Sequence, residues 1–463
     1  MKHQLIFLLL FASLKTYADF EPQNIAVIGT GYVGLITGAG LADFNHHVVC
    51  ADIDQEKIKL LMNGVIPIFE PGVDELVAKN VALGSLNFTS DVGSAVEKAD
   101  IIIIAVGTPM GDNGHADLTA LKAVVKTIAD HLNGYKIIVT KSTVPIGTYR
   151  LVYSMIEKAK PDAQFSVISN PEFLREGSAI RDFFQCNPIV LGGYDQNALN
   201  KMKNIYQPLI NKGTNLIMTD PSSSETIKYA WNAFSATRIM YVNELAHVCN
   251  AVGANIFEVV KGLSFSEDLL PTSMLRPGPG LGGSCLPKDT NALVAMAQLY
   301  GVDLKIVTAV IAANERHKNL IVEQLYPFFH RKMAGRTVAI LGLSFKANTD
   351  DIRYSAAITA IERLTADDVF IKAYDPQAME NMKRLYPNIM YCQSLEEAVA
   401  QADAILLLTE WDEFKNADLV KIKELMTKQT MYHKPVVVDP RNLWNPSELK
   451  ALGFDYANLG RVK

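Results

Sequence analysis

The sequence carries no surplus of basic charge. Its 463 residues hold 44 Lys and Arg against 49 Asp and Glu, for a net charge of −5 and an isoelectric point near 6.0. No positive field is available to hold a nucleic acid or an anionic membrane surface, so neither is expected as a partner. A nucleotide-sized anion can still bind through a few local lysines, arginines and backbone amides. Paired cysteines are missing too. Cys50, Cys186, Cys249, Cys285 and Cys392 are far apart, odd in number and include no Cys-x-x-Cys. That pattern argues against a disulfide framework and against a zinc centre, so no metal site is expected and a reducing compartment fits. Cys50 falls in an apolar strand-like run and Cys249 in a helical pattern, and both read as core thiols. The third absence is any apolar run long enough to form a transmembrane helix. The N-terminal "MKHQLIFLLLFASLKTYADF" has a basic start, a short apolar run and small residues before Asp19, the outline of a signal peptide, although Lys15 follows the run closely. An unstructured or misassigned leader is the other reading.

What is present is an α/β pattern, with a length that suits about three domains at roughly 150 residues each. "NIAVIGT" (24–30) reads as a buried strand ending at glycine, followed by a helical pattern over 34–44 and a strand over 48–52. "ADIIIIAVGTP", "YKIIVTKST" and "QFSVISNPEF" read as three further strands. Such alternation predicts a doubly wound parallel sheet. Residues 222–250 are helical throughout, with Ser222 and Glu225 spaced as a capping box and Gly253 placed to end the helix. A second helical stretch is expected over 289–330. At Arg336 the first pattern restarts: "RTVAILGLSF" parallels "QNIAVIGTGY", "VFIKAYDP" parallels "HVVCADID", and "ADAILLLTEW" parallels "ADIIIIAVGTP". The expected fold class is therefore α/β, with two Rossmann-like doubly wound parallel-sheet domains joined by a long-helix middle domain. The expected boundaries are a leader over 1–23 and domains over 24–215, 216–330 and 331–463.

Gly29-Thr30-Gly31-Tyr32-Val33-Gly34 is a Gly-x-Gly-x-x-Gly between a strand and a helix, and Asp52 closes the next strand about twenty residues on. Together these form a dinucleotide fingerprint. Gly29 makes the turn, Gly31 lets the backbone approach a pyrophosphate, and Gly34 lets the helix pack on the strand. Asp52 suits the ribose hydroxyls and would repel a 2′-phosphate, which favours NAD over NADP. The second repeat lacks the third glycine, so it need not bind a dinucleotide in the same way. In "GLGGSCLPKD", Cys285 follows a glycine run and precedes Lys288 and Asp289. A nearby ammonium and a helix N-terminus would lower the thiol pKa, and a thiolate would let a dehydrogenase oxidise an aldehyde through a thiohemiacetal and a thioester. From the loop alone, nucleophile and structural thiol both stand. Lys228 and Asn232 share a helix face by their spacing of four, which equally suits a solvated face. Glu172 and Glu176 follow a strand end, as does Thr143. That is where an α/β sheet places its crevice, although the two glutamates also read as ordinary helix-start acids.

Nine motifs in order carry a resemblance: GTGYVGL, EPGVDEL, VGTP, KSTVPIG, NPEFLREGSA, IKYAWNAF, GGSCLPKD, LGLSFKANTDDIR and VVVDPRN. The chain resembles the UDP-glucose/GDP-mannose 6-dehydrogenase family over nearly its whole length. The resemblance implies an NAD domain, a helical dimer-forming middle and a C-terminal nucleotide-sugar domain, in a homodimer or higher homo-oligomer. By resemblance Cys285 is the nucleophile, and Lys228 and Asn232 stabilise an oxyanion, with Lys228 also placed to take the alcohol proton. Asp289 orients Lys228 or the hydrolytic water. Glu176 acts as general base, with Thr143 and Glu172 positioning a water. Gly29, Gly31, Tyr32, Val33, Gly34, Asp52, Lys57, Thr108, Thr143, Glu176 and Arg353 would contact NAD. Glu172, Phe173, Leu174, Lys228, Asn232, Gly282, Lys346 and Arg441 would contact the nucleotide sugar. "LLLTEWDEF" and "VVVDPRNL" are similar to the UDP-glucose branch, while "MLRPGPGLGGSCLPKD" and "NPEFLREGSAIRDF" are closer to the GDP-mannose branch. Residues 264–273 depart from the UDP-glucose pattern, and Arg276 is the nearest arginine after them. The implied reaction is a four-electron oxidation of UDP-glucose at C6, with GDP-mannose the alternative substrate. Soluble cofactors make a cytoplasmic location the expectation.

Overall fold

The computed structural model describes residues 21–111, 114–263, 275–427 and 434–461. Residues 1–20, which hold most of the expected leader, and the 264–273 segment lie outside them. Apart from a few residues after Gly111, the chain divides into a compact unit that ends at Lys228 and another that begins at Tyr229. Among the described residues no helix is long and apolar enough to cross a membrane.

The first unit is built on an eight-stranded sheet. Its strands are β1 (Asn24–Ile28), β2 (His47–Ala51), β3 (Leu86–Thr89), β4 (Ile101–Ile104), β5 (Lys136–Thr140), β6 (Phe165–Ser169), β7 (Ile189–Gly192) and β8 (Leu216–Thr219). They lie in the order 3-2-1-4-5-6-7-8, and all neighbours are parallel except β6 and β7, which meet antiparallel at Ser169 and Gly192. The apolar runs are continuous because both faces are covered. Ile25, Val27, Ile101 and Ile103 enter one core, and the alternate Ala26, Ile28, Ile102 and Ile104 enter the other. Strands β3, β7 and β8 are not among the expected ones. "LNFT", "IVLG" and "LIMT" are four residues each and, unlike the equally short β4, are not part of a longer apolar run. Three helices of this unit matter below: α1 (Tyr32–Asp43), α2 (Thr148–Ala159) and α3 (Ala179–Phe184). Helix α1 starts two residues earlier than expected, directly on Gly31.

Helix α4 (Pro221–Val252) is 32 residues long. Its start differs from the expected capping box. Asp220 takes the capping role, accepting from the Ser223 amide at 2.9 Å and from the Ser223 hydroxyl at 2.6 Å. Glu225 turns away and accepts from the amides of Gly147 at 2.6 Å and Tyr149 at 2.8 Å, at the start of α2. Spacing alone does not distinguish a glutamate that caps its own helix from one that caps another. The second helical stretch is also corrected. It breaks at Gly301, whose φ of +71° ends a helix. The result is α5 (Leu286–Leu299) and α6 (Lys305–Glu323), followed by a 3₁₀ turn over Tyr326–Phe329.

The second unit also holds a six-stranded sheet of β9 (Thr337–Leu341), β10 (Phe370–Tyr374), β11 (Met390–Tyr391), β12 (Ala404–Leu407), β13 (Val436–Asp439) and β14 (Asp455–Asn458). Its order, 11-10-9-12-13-14, repeats the 3-2-1-4-5-6 order of the first sheet with every pair parallel. Val242, Ala246 and Cys249 of α4 share one core with Val338 and Ile340 of β9.

Candidate active site

In the first unit the glycine fingerprint does what its spacing implies. Gly29 has a φ of +100°, and a Cβ there would lie 2.7 Å from the Ala105 carbonyl oxygen. A Cβ on Gly34 would fall 1.8 Å from the Gly29 oxygen, so α1 packs on the turn only because that position is bare. Gly31 faces open space within 4 Å and is the N-cap of α1, leaving room for a phosphate against the helix N-terminus. Val33 packs against the core below, and the Tyr32 hydroxyl donates to the Phe69 carbonyl at 2.5 Å. Asp52 accepts from the amide and hydroxyl of Thr30, both at 2.8 Å, and pairs with Lys57 at 3.3 Å. Burial opposes its ionisation. Bonds from Thr30 and the Asp54 amide, with the Lys57 ammonium, outweigh that burial and hold the carboxyl below its ordinary range. The Thr108 hydroxyl donates to the Thr143 carbonyl at 2.7 Å, so those two expected residues meet across the ends of β4 and β5. These residues fit a dinucleotide.

The loop after β6 carries Glu172, Phe173, Leu174 and Glu176, beyond the carboxyl end of a parallel strand. It is not helical there, so the reading of both glutamates as helix-start acids is corrected; α3 begins only at Ala179. Glu172 forms a buried pair with Lys228 at 3.2 Å, the two side chains being 5% and 4% exposed, and also accepts from the Leu174 amide. The Lys228 ammonium lies 5.4 Å from the Phe173 ring centre. Glu176 is half-buried. Two further residues emerge that sequence reasoning did not single out. Glu70, within the EPGVDEL motif, accepts from the amides of Gly177 at 2.6 Å and Ala179 at 2.7 Å and so fixes the end of this loop. Lys141 is buried beside Asn170 at 3.1 Å and Tyr206 at 3.3 Å, at a cavity of about 30 Å³ that Glu172, Leu174 and Cys186 also line. Burial lowers its pKa to about 8. The motif signalled Glu70 only as part of a match, and a lysine after a strand gives no sign of burial.

In the second unit Cys285 is the N-cap of α5, half-buried, with the Ser284 hydroxyl 3.5 Å from its sulfur. Asp289, one turn in and 1% exposed, accepts from the Asn232 side-chain amide at 2.6 Å and from the Lys288 ammonium. Lys288, expected to act on the thiol, is thus engaged by Asp289. Gly282 and Gly283 are needed as glycines. A Cβ at either would lie 2.7 Å from the Phe345 side chain, and the Gly283 amide donates to the Arg353 carbonyl at 2.7 Å. Lys346 lies 5.3 Å from the Phe345 ring centre. Arg441 donates to the carbonyls of Leu408 and Phe345, each at 2.8 Å, and pairs with Glu410 at 3.0 Å. The Arg353 guanidinium forks onto Asp351, at 2.9 Å and 2.7 Å, with its side chain 58% exposed. The acid equivalent to Asp52 is Asp375. It is fully buried and accepts from the amides of Leu343, Ser344, Gln377 and Ala378, the Ser344 hydroxyl and the Trp411 indole. No acceptor capacity is left there for a ribose.

Comparison with known proteins finds one family along the chain. Residues 23–210, 222–316 and 339–446 match, in turn, the NAD binding domain, the central domain and the UDP binding domain of the UDP-glucose/GDP-mannose dehydrogenase family. The chain is 45% identical to UDP-glucose 6-dehydrogenase TuaD of Bacillus subtilis (strain 168), over 95% of this chain and 93% of that protein. It is 44% identical to UDP-glucose 6-dehydrogenase of Rhizobium meliloti (strain 1021), over 95% of this chain and 100% of the relative. Among solved structures it is similar to a UDP-glucose dehydrogenase from the hyperthermophilic archaeon Pyrobaculum islandicum, with a TM-score of 0.88, 30% identity, and coverage of 96% and 99% of the two chains. From its glycine cradle to its last strand, this chain belongs to the UDP-glucose/GDP-mannose dehydrogenase family.

Proposed function

We propose that this protein oxidises the C6 alcohol of UDP-glucose to the carboxylate of UDP-glucuronate, a four-electron reaction. The observation that carries the reading is Cys285 at the N-terminus of α5, one turn before the buried Asn232–Asp289 pair. The relatives named above support UDP-glucose as the substrate. Bound NAD supplies the hydride acceptor, twice per turnover, held by Gly29, Gly31, Gly34, Tyr32, Val33, Asp52, Lys57, Thr108 and Arg353. The chain's own residues do the rest. Lys228 takes the alcohol proton in its neutral form; as an ammonium it joins the Asn232 amide in stabilising oxyanion character at C6. The Cys285 thiolate adds to the aldehyde, forming a sulfur–carbon bond. Oxidation of that adduct leaves a thioester, which water cleaves to release the carboxylate and restore the thiol. Glu176 is the base for that water, with Thr143 placing it. Glu172 holds Lys228, and Asp289 holds Asn232. Phe173, Leu174, Gly282, Lys346 and Arg441 hold the nucleotide sugar, the last two by charge-assisted bonds.

We assign cofactor binding to 24–215, assembly to 216–330 and nucleotide-sugar binding to 331–463. A homodimer through α4 is supported by Trp231, Phe234, Tyr241, Val248 and Val252, all 41% to 70% exposed and spaced in alternating threes and fours or their sums. Use of soluble NAD and a soluble nucleotide sugar supports a cytoplasmic location.

The test is an NADH-release assay with UDP-glucose and GDP-mannose side by side. Two NADH per UDP-glucose, and little turnover of GDP-mannose, is the expected outcome. One NADH per substrate would indicate a simple alcohol dehydrogenase and reject the thiol mechanism. Faster turnover of GDP-mannose would replace the substrate.

A further inference from the structure

Within the second unit, residues 278–283 lead directly into Cys285 and are fastened on both sides. The Gly278 amide donates to Asn243 of α4 at 2.9 Å. The Leu281 amide donates to Asn314 of α6 at 2.6 Å, and the same side chain donates back to the Leu281 carbonyl at 3.3 Å. Leu281 itself is buried with Ala236, Met240 and Val310. The remaining fastening is a histidine pair. His317 of α6 lies 2.7 Å from the Gly278 carbonyl through Nε2, and its Nδ1 lies 3.0 Å from His247 Nε2 of α4. A carbonyl only accepts, so His317 carries its proton on Nε2. Its Nδ1 must then accept, and His247 must donate from Nε2. With both rings neutral the relay runs in one direction; a proton added to His317 makes its Nδ1 a donor, and the bond then survives only if His247 shifts its own proton from Nε2 to Nδ1.

The Gly278 end of this strap touches the nucleotide-sugar residues. A Cβ on Gly278 would lie 3.3 Å from the Arg441 guanidinium. At the other end Gly283 is bonded to Arg353, two residues before the thiol. We propose that His247 and His317 are positioning residues, whose neutral relay holds the strap between Arg441 and Cys285 in the form that receives the nucleotide sugar and presents the thiol. The inference rests on the reading of Cys285 as nucleophile. Burial keeps both rings neutral at ordinary pH, lowering His317 to about 4 against the opposing Gly278 bond. Burial, with Arg316 adding and Glu244 opposing, lowers His247. Other charged groups around the strap include the Lys318–Glu315 pair on α6, Arg441 with Glu410, and Arg353 with Asp351.

The experiment compares steady-state kinetics of His317→Leu, His317→Gln and His247→Leu with the intact protein from pH 5 to 9, with melting followed in parallel. Leucine at 317 cannot bond the carbonyl, and KM for UDP-glucose should rise about tenfold, with a smaller fall in kcat. Glutamine donates and accepts without titrating. It should restore at least half of kcat/KM across pH 6 to 9. His247→Leu leaves the Gly278 bond in place and should raise KM by roughly threefold. That half-buried site keeps the test alive should His317→Leu not fold. Unchanged KM in every leucine variant that folds, His247→Leu alone included, or a folded glutamine variant as impaired as the leucine one, overturns the proposal. An intact protein inactive on both sugar nucleotides would instead overturn the functional reading.

Discussion

Two aspartates end the second strand of each sheet, and their surroundings separate them. Asp52 keeps an open side beside Lys57, whereas Asp375 is closed in by six donors. The same substitution should therefore have opposite signatures. Asp52→Asn should reduce kcat/KM for NAD by about 10- to 100-fold and narrow the preference over NADP, with melting nearly unchanged. Asp375→Asn should leave the cofactor preference alone and destabilise the second unit by about 3 kcal/mol, read by denaturant unfolding. The buried Glu172–Lys228 pair gives a third contrast. Glu172→Leu removes the carboxylate paired with an ammonium that is 4% exposed, so up to about 3 kcal/mol of stability should be lost in the first unit. Equal melting of this variant and the parent would show that Lys228 reaches water.

At the scale of elements, what the sequence made legible was whatever depends on neighbours in the chain. Strands β1, β2, β4, β5 and β6 announce themselves by apolar runs, and the turn at Gly29 by its glycines. The start of α4 was misread because Glu225 finds its partners at Gly147 and Tyr149, far away in sequence. Glu70 was passed over as a site residue for the same reason. The break at Gly301 was missed because a helical pattern runs on either side of it. Glu225 also carries a pH signature. Burial raises its carboxyl to about 7 in spite of the two amides. The folded state then holds its proton more tightly than the unfolded chain. Its contribution to stability is full below about 4.5, declines as pH rises, and is gone above about 7. The melting temperature of the parent should fall across that window relative to Glu225→Gln, and parallel profiles would refute the assignment. Gly34→Ala has no such subtlety. The new Cβ would overlap the Gly29 carbonyl, and about 3 kcal/mol or more should be lost together with NAD binding, measured by cofactor titration.

For the whole molecule the repeat was visible because strand order follows the order of the segments, and both sheets share it. The proposed dimer surface was less visible. A 32-residue helix announces its length, but only the fold shows which of its apolar residues stay uncovered. If α4 forms the proposed dimer interface, the parent should sediment as a dimer and Phe234→Asp combined with Val248→Asp as a monomer, with the melting of the first unit left in place. A persistent dimer would move the interface elsewhere.

The five reduced thiols differ enough to make the protein its own titrant. Cys50 is buried in β2, its thiol pushed up to about 12 by desolvation, and Cys249 is buried in α4. Burial also raises Cys186 and Cys392. Cys285 alone sits at a helix N-terminus. An alkylating reagent at neutral pH should therefore attach once per chain, at Cys285, and the mass added should count the chains in a preparation whose α5 N-terminus is folded and open to the reagent.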